Sequence, residues 1–151
     1  MLSVKELGDL LYNSIDTKNK EEVVIQVVEN SDLEKRLNIS IYFSETYGKS
    51  LYSELKTKLN GNFKALAIHL FIHPITFCAK LLKKGLKSFG SDEDIILEVL
   101  TSHNQEEIRQ IESAFKVETG KDLIKEIEKN FSGALKKKFD KFSYYRKGNS
   151  I

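Results

Sequence analysis

A chain of 151 residues and 17.3 kDa, 40% hydrophobic and 30% charged, suits one ordinary domain or two small ones sharing a core and excludes a largely disordered chain. A net charge of +2 gives no bulk attraction to nucleic acid, so no nucleic-acid partner is expected and any basic surface is local. The single cysteine, Cys78, excludes an internal disulfide and agrees with a reducing, cytoplasmic setting. The opening residues "MLSVKELGDLL" break their apolar pattern with charges and do not read as a signal peptide. The longest apolar stretch, "ALAIHLFI", is too short to span a bilayer, so membrane contact is expected to be peripheral.

In chain order, caps and breakers divide the first half into helix A over 4–13, B over 20–29, C over 32–47, D over 50–59 and E over 61–72. Two of these are ambiguous by themselves. "EEVVIQVVEN" is rich in β-branched residues, and "NISIYF" alternates at Ile39, Ile41 and Phe43, both of which favour strands. The second half resolves the ambiguity because it repeats the first. Gly48 and Gly120, and Gly61 and Gly133, both stand 72 residues apart. At the same offset Val27 falls on Val99, Ile39 on Ile111, Phe43 on Phe115 and Leu51 on Leu123. The partner segments "DEDIILEVLTS" and "RQIESAFKVETG" carry apolar residues at three- and four-residue spacing, the helical period. Two copies of one unit share a fold, so both copies are read as helical.

The second unit is then A over 76–87, B over 92–102, C over 105–119, D over 122–130 and E over 133–144. Gly48 and Gly120 suit left-handed caps after helix C, and Ser50 and Asp122 suit N-caps of helix D. Pro74 lies between the units, where it cannot continue helix E. The expected organisation is a first repeat over 3–72, a linker over 73–77, a second repeat over 78–146 and a tail over 147–151.

Residues Gly90, Ser91, Asp92, Glu93, Ala114, Phe115, Gly120, Asp122, Leu123, Ser132 and Gly133 reproduce a glycine loop before an acidic helix start, an Ala-Phe pair late in helix C, Gly-x-Asp-Leu opening helix D, and Ser-Gly before helix E. This pattern resembles the repeat of the annexin family. The first unit follows it through Phe43, Tyr47, Gly48, Leu51, Leu55 and Gly61, but its loop "SIDTKNKEE" lacks the glycines. The resemblance implies an all-α fold of two tandem five-helix repeats, each a right-handed four-helix bundle crossed by helix C. It also implies peripheral, calcium-dependent binding to anionic phospholipid, by a chain with half the family's usual number of repeats.

In annexins the loop between helices A and B supplies carbonyl ligands for calcium, and an acidic residue at the end of helix D, about 40 residues later, completes the site. Here that acid position falls on Asn130 in the second unit and on Lys58 in the first. An ammonium accepts nothing, so the first unit is expected to have lost its site. Leu86, Ser88 and Gly90 carbonyls with the Glu93 carboxylate remain a weak calcium candidate in the second. The alternative for that acidic cluster is capping, with Ser91 as N-cap and Asp92, Glu93 and Asp94 in the first turn of helix B.

Lys18, Lys20, Lys58, Lys87 and Lys129 fall in or beside the loops that face the membrane in annexins, with Phe89 at a loop tip. They are candidates for direct contact with anionic headgroups without the bridging ion; ordinary solvated surface is the competing reading. The tail "KKKFDKFSYYRKGNS" mixes basic and aromatic residues, but Leu135, Phe139 and Phe142 continue a helical apolar stripe, which favours burial. His69 and His73 with Cys78 hint at zinc, yet no fourth ligand is in sight. Cys78 and His103 can pair only if the fold brings them together. No phosphate loop, nucleotide fingerprint or paired-carboxylate cleft is present, so no enzyme is expected. A protein-interaction scaffold with an unknown partner is the alternative function, and a homodimer is expected to cover apolar surface left exposed by a half array.

Overall fold

The computed structural model describes residues 1–87, 92–130, 136–137 and 140–141, and for Lys87 the backbone alone. It divides into two compact units, Met1–His73 and Pro74–Ile151. The first holds α1 (Val4–Ser14), α2 (Lys20–Glu29), α3 (Leu33–Tyr47), α4 (Leu51–Lys58) and α5 (Gly61–Phe71). The second holds α6 (Pro74–Lys87), α7 (Glu93–Thr101), α8 (Gln105–Thr119) and α9 (Leu123–Asn130). Among the described residues there is no strand. The β-branched segment of α2 and the alternating segment of α3 are helical, because in each unit burial rewards the face that helical periodicity creates.

The repeat is visible in the cores. In the first unit Leu7, Val24, Val27, Ile39, Phe43, Leu51 and Leu55 are buried. Their counterparts 72 residues on, Ala79, Ile96, Val99, Ile111, Phe115, Leu123 and Ile127, form the second core. The two central helices, α3 and α8, are both 15 residues long, and α4 and α9 are both 8. In the first unit α1 packs on α2 and α3, and α5 on α2, α3 and α4; in the second α6 packs on α7, α8 and α9.

Local chemistry sets the boundaries. Gly48 and Gly120 end α3 and α8 at φ 66° and 71°, a left-handed conformation that glycine adopts without steric cost. Ser50 caps α4 through the Ser53 amide, and Asp122 accepts from the Lys125 amide at the start of α9. Two boundaries differ from expectation. Helix α6 begins at Pro74 instead of Thr76, because the first helical position uses no amide donor and the proline φ is already helical. The N-cap of α7 is Asp92, whose carboxylate accepts from the Ile95 amide at 3.3 Å, instead of Ser91. Ser88, Phe89, Gly90 and Ser91, the Ser132–Gly133 pair, the fifth helix expected over 133–144 and the basic-aromatic tail lie outside the described residues, apart from the exposed Lys136, Lys137, Asp140 and Lys141.

Candidate functional site

The loop between α1 and α2 is short and closed on itself. The Thr17 amide and hydroxyl both donate to the Ser14 carbonyl, at 2.9 and 2.8 Å, and the Thr17 hydroxyl accepts from the Asn19 amide at 3.3 Å. Within it the exposed Asp16 carboxylate accepts a hydrogen bond from the Lys58 ammonium, which reaches across from the last residue of α4. The pair depresses the Asp16 pKa, with Lys49 and Lys20 adding smaller electrostatic contributions. Asp16 in turn raises the pKa of Lys58. The Lys49 ammonium lies 6.0 Å from the Tyr12 ring centroid, and Tyr12 stacks on Tyr47 at 3.7 Å. Asp16 thus holds Lys58 and feels Lys49 and Lys20 only electrostatically, while Glu54 also acts on Lys58.

This geometry does not fit a divalent cation. The position that would supply a carboxylate carries an ammonium, and that ammonium already occupies the loop's acid. Of the lysines singled out in the first unit, Lys58 pairs with Asp16, Lys20 acts on it electrostatically, and Lys18 is an exposed residue of the same loop. Lys49 escaped the sequence reading because it sits in the turn between α3 and α4, away from the loops that motif positions mark.

The second unit offers different chemistry at the corresponding places. Asn130 ends α9 with its side-chain amide donating to the Glu126 carbonyl at 2.6 Å, a contact within its own helix. Lys129 lies 3.4 Å from the Glu126 carboxylate and its side chain is 72% exposed. Leu86 is half-buried and Glu93 exposed, while the Asp92 amide donates to the Gly85 carbonyl at 3.0 Å, closing the end of α6 onto the start of α7.

The fold brings Cys78 and His103 together, with Sγ 3.6 Å from Nε2, and the other ring nitrogen, Nδ1, lies 2.7 Å from the Val99 carbonyl. A carbonyl only accepts, so Nδ1 carries the proton and Nε2 accepts from the thiol. Burial, with the Glu107 charge adding to it, pushes the Cys78 pKa up. The pair is a satisfied buried thiol, since a nucleophile needs its thiolate favoured. His69 is exposed on α5, and among the described residues no three His, Cys, Asp or Glu side chains gather as metal ligands. No described helix is long and apolar enough to cross a membrane.

A family model described as "Annexin" matches residues 77–139. Annexin A7 of Homo sapiens is 34% identical over 113 residues, covering 75% of this chain and 23% of that protein. Annexin A1 of Equus caballus is 32% identical over 130 residues, covering 85% and 38% respectively. A solved structure of an annexin A8 point mutant with an intact N-terminus superposes with a TM-score of 0.82 at 28% identity, over 91% of this chain and 43% of that one. The chain therefore spans less than half the length of the relatives it matches.

Proposed function

Because this chain belongs to the annexin family, we propose that it docks peripherally on anionic phospholipid with its calcium dependence weakened or lost. The family is one of calcium-dependent, peripheral phospholipid binders, not of enzymes in general, and the reading keeps the membrane while replacing the ion. The observation that carries it is the Lys58 ammonium seated on Asp16 where a calcium site would need a carboxylate. Lys18, Lys20 and Lys58 then meet headgroups directly in the first unit, each contributing about 1 kcal/mol near an anionic leaflet. Lys87, Phe89 and Lys129 have the corresponding role in the second, where Leu86, Ser88, Gly90 and Glu93 hold calcium weakly at best. We read the two units as two annexin-like repeats, acting in the cytoplasm. Sedimentation with phosphatidylserine vesicles tests this. Equal pelleting in calcium and in chelator is expected; pelleting only in calcium would return the chain to the family mechanism.

A second reading, an interaction module, is favoured by an apolar groove between α2 and α5. It is lined by Val24, Ile25, Val28, Phe63, Leu66 and Leu70, with Ile25 47% and Leu66 56% exposed. The occupant proposed is a second copy of this chain. The α2 side carries Glu21, Glu22 and Glu29 and the α5 side Lys64, so a two-fold arrangement laying α2 of each copy on α5 of the other sets Lys64 against carboxylates while covering the apolar surface. Failure to pellet under either condition would favour this reading over the first.

A further inference from the structure

The Lys58–Asp16 pair joins residues 42 positions apart, and the bundle does not require it. At the 72-residue offset Asp16 corresponds to Ser88 and Lys58 to Asn130, so the second unit has neither member. Its α9 nevertheless has the length of α4 and the same buried positions, Leu123 and Ile127 against Leu51 and Leu55. The pair is therefore a property of this surface and not of the fold.

It is also an exchangeable contact. The two side chains are 35% and 67% exposed, and ion pairs in water of this kind are weak and screened by salt. Lys20 and Lys49 act electrostatically on the same carboxylate and Glu54 on Lys58, so three ammonium groups share two carboxylates. A phosphodiester, like a carboxylate, brings one charge on two free oxygens, but it arrives untethered and can bridge ammonium groups that Asp16, which accepts from Lys58 alone among them, does not.

We infer that Asp16 is an internal stand-in for a phospholipid phosphate, holding Lys58 until a headgroup displaces it, so that this carboxylate sets the threshold for docking. The inference rests on the calcium-independent docking proposed above and names the residue that regulates it. The lysine cluster is the site; Asp16 is its resident anion.

The test compares variants of this chain on phosphatidylserine vesicles in chelator. Asp16→Asn is expected to raise the partition coefficient about fivefold, the value of one additional lysine at an anionic leaflet. Glu45→Gln removes the same charge from an exposed position on α3 and is expected to give a smaller gain. In a Lys58→Met background the extra gain from Asp16→Asn should vanish. An Asp16→Asn gain no larger than that of Glu45→Gln, or one that survives Lys58→Met, overturns the inference and leaves the docking proposal standing. Absence of pelleting for every variant overturns both. Calorimetry of Asp16→Asn with inorganic phosphate separates the sources of the group: binding as tight as to vesicles would overturn the assignment to a bilayer.

Discussion

Asp9 shows how much one side chain organises on the α1–α3 contact of the first unit. Its carboxylate accepts from the Tyr42 hydroxyl at 2.8 Å and from the Tyr47 hydroxyl, and these bonds hold its pKa below the ordinary aspartate range, the Tyr47 contribution being largest. A carboxyl depressed in the folded state binds fewer protons there than in the unfolded chain, so its contribution is complete above the unfolded value and disappears as pH falls through the folded one. Asp9→Asn is expected to flatten the loss of thermal stability below about pH 4, measured by melting across pH 2 to 6; an unchanged acid limb would count against it. Gly8, one residue earlier, is packed against the same ring: a Cβ there would lie 2.5 Å from a Tyr42 ring carbon. Because Asp9 fixes that ring, Gly8→Ala is expected to destabilise by about 1 to 3 kcal/mol in denaturant titration. Asn130 carries the residue-scale test in the second unit. Asn130→Glu places a charged oxygen at the end of α9, and under the proposed reading a gain in calcium affinity by calorimetry is expected. The identity of these residues is plain in the sequence, but their partners are not: Asp9 and Tyr47, or Asp16 and Lys58, become neighbours only once the helices pack.

The helices themselves show where pattern suffices and where it fails. Periodicity and the internal repeat were enough to read α2 and α3 as helices, since a second copy of each segment, with clearer spacing, had to fold alike. Pro74 misled because its local rule works in both directions: it stops one helix and starts the next. The end of α5 illustrates a contact no pattern announces. The Leu70 carbonyl accepts from the Arg36 guanidinium at 2.8 Å, and the Phe71 carbonyl accepts from the Ser40 hydroxyl at 3.2 Å, so α3 side chains satisfy the last carbonyls of α5. Arg36 also donates to the Ser31 carbonyl at 2.6 Å, tying in the entry to α3. Arg36→Met keeps the side-chain length and removes the donors. It is expected to cost about 1 to 3 kcal/mol of stability, with amide exchange accelerating first at the end of α5.

At the scale of the whole chain, a sequence that repeats its buried positions while altering its loops separates fold from function. The cores of both units follow one pattern, and this is why the family was legible; the loop chemistry diverged, and this is why the site was only half legible. Lys58 stands in the sequence as an ammonium at the end of α4, but the sequence does not show that Asp16 takes up its charge. The same separation bears on assembly. Leu66 is 56% exposed on α5, so its hydrophobicity contributes little to the isolated unit. Paired against α2 of a second copy, it would be covered together with Ile25. Light scattering at micromolar concentration is expected to give a mass of twice 17.3 kDa. Leu66→Glu places a carboxylate opposite Glu21, Glu22 and Glu29 of the second copy, and it is expected to yield a monomer with an unaltered helical spectrum. Lys64→Glu tests the charge match without touching the apolar groove, and should weaken association in a salt-dependent manner. A wild-type monomer would remove the second copy from the α2–α5 groove, and a dimer indifferent to both substitutions would place the contact elsewhere.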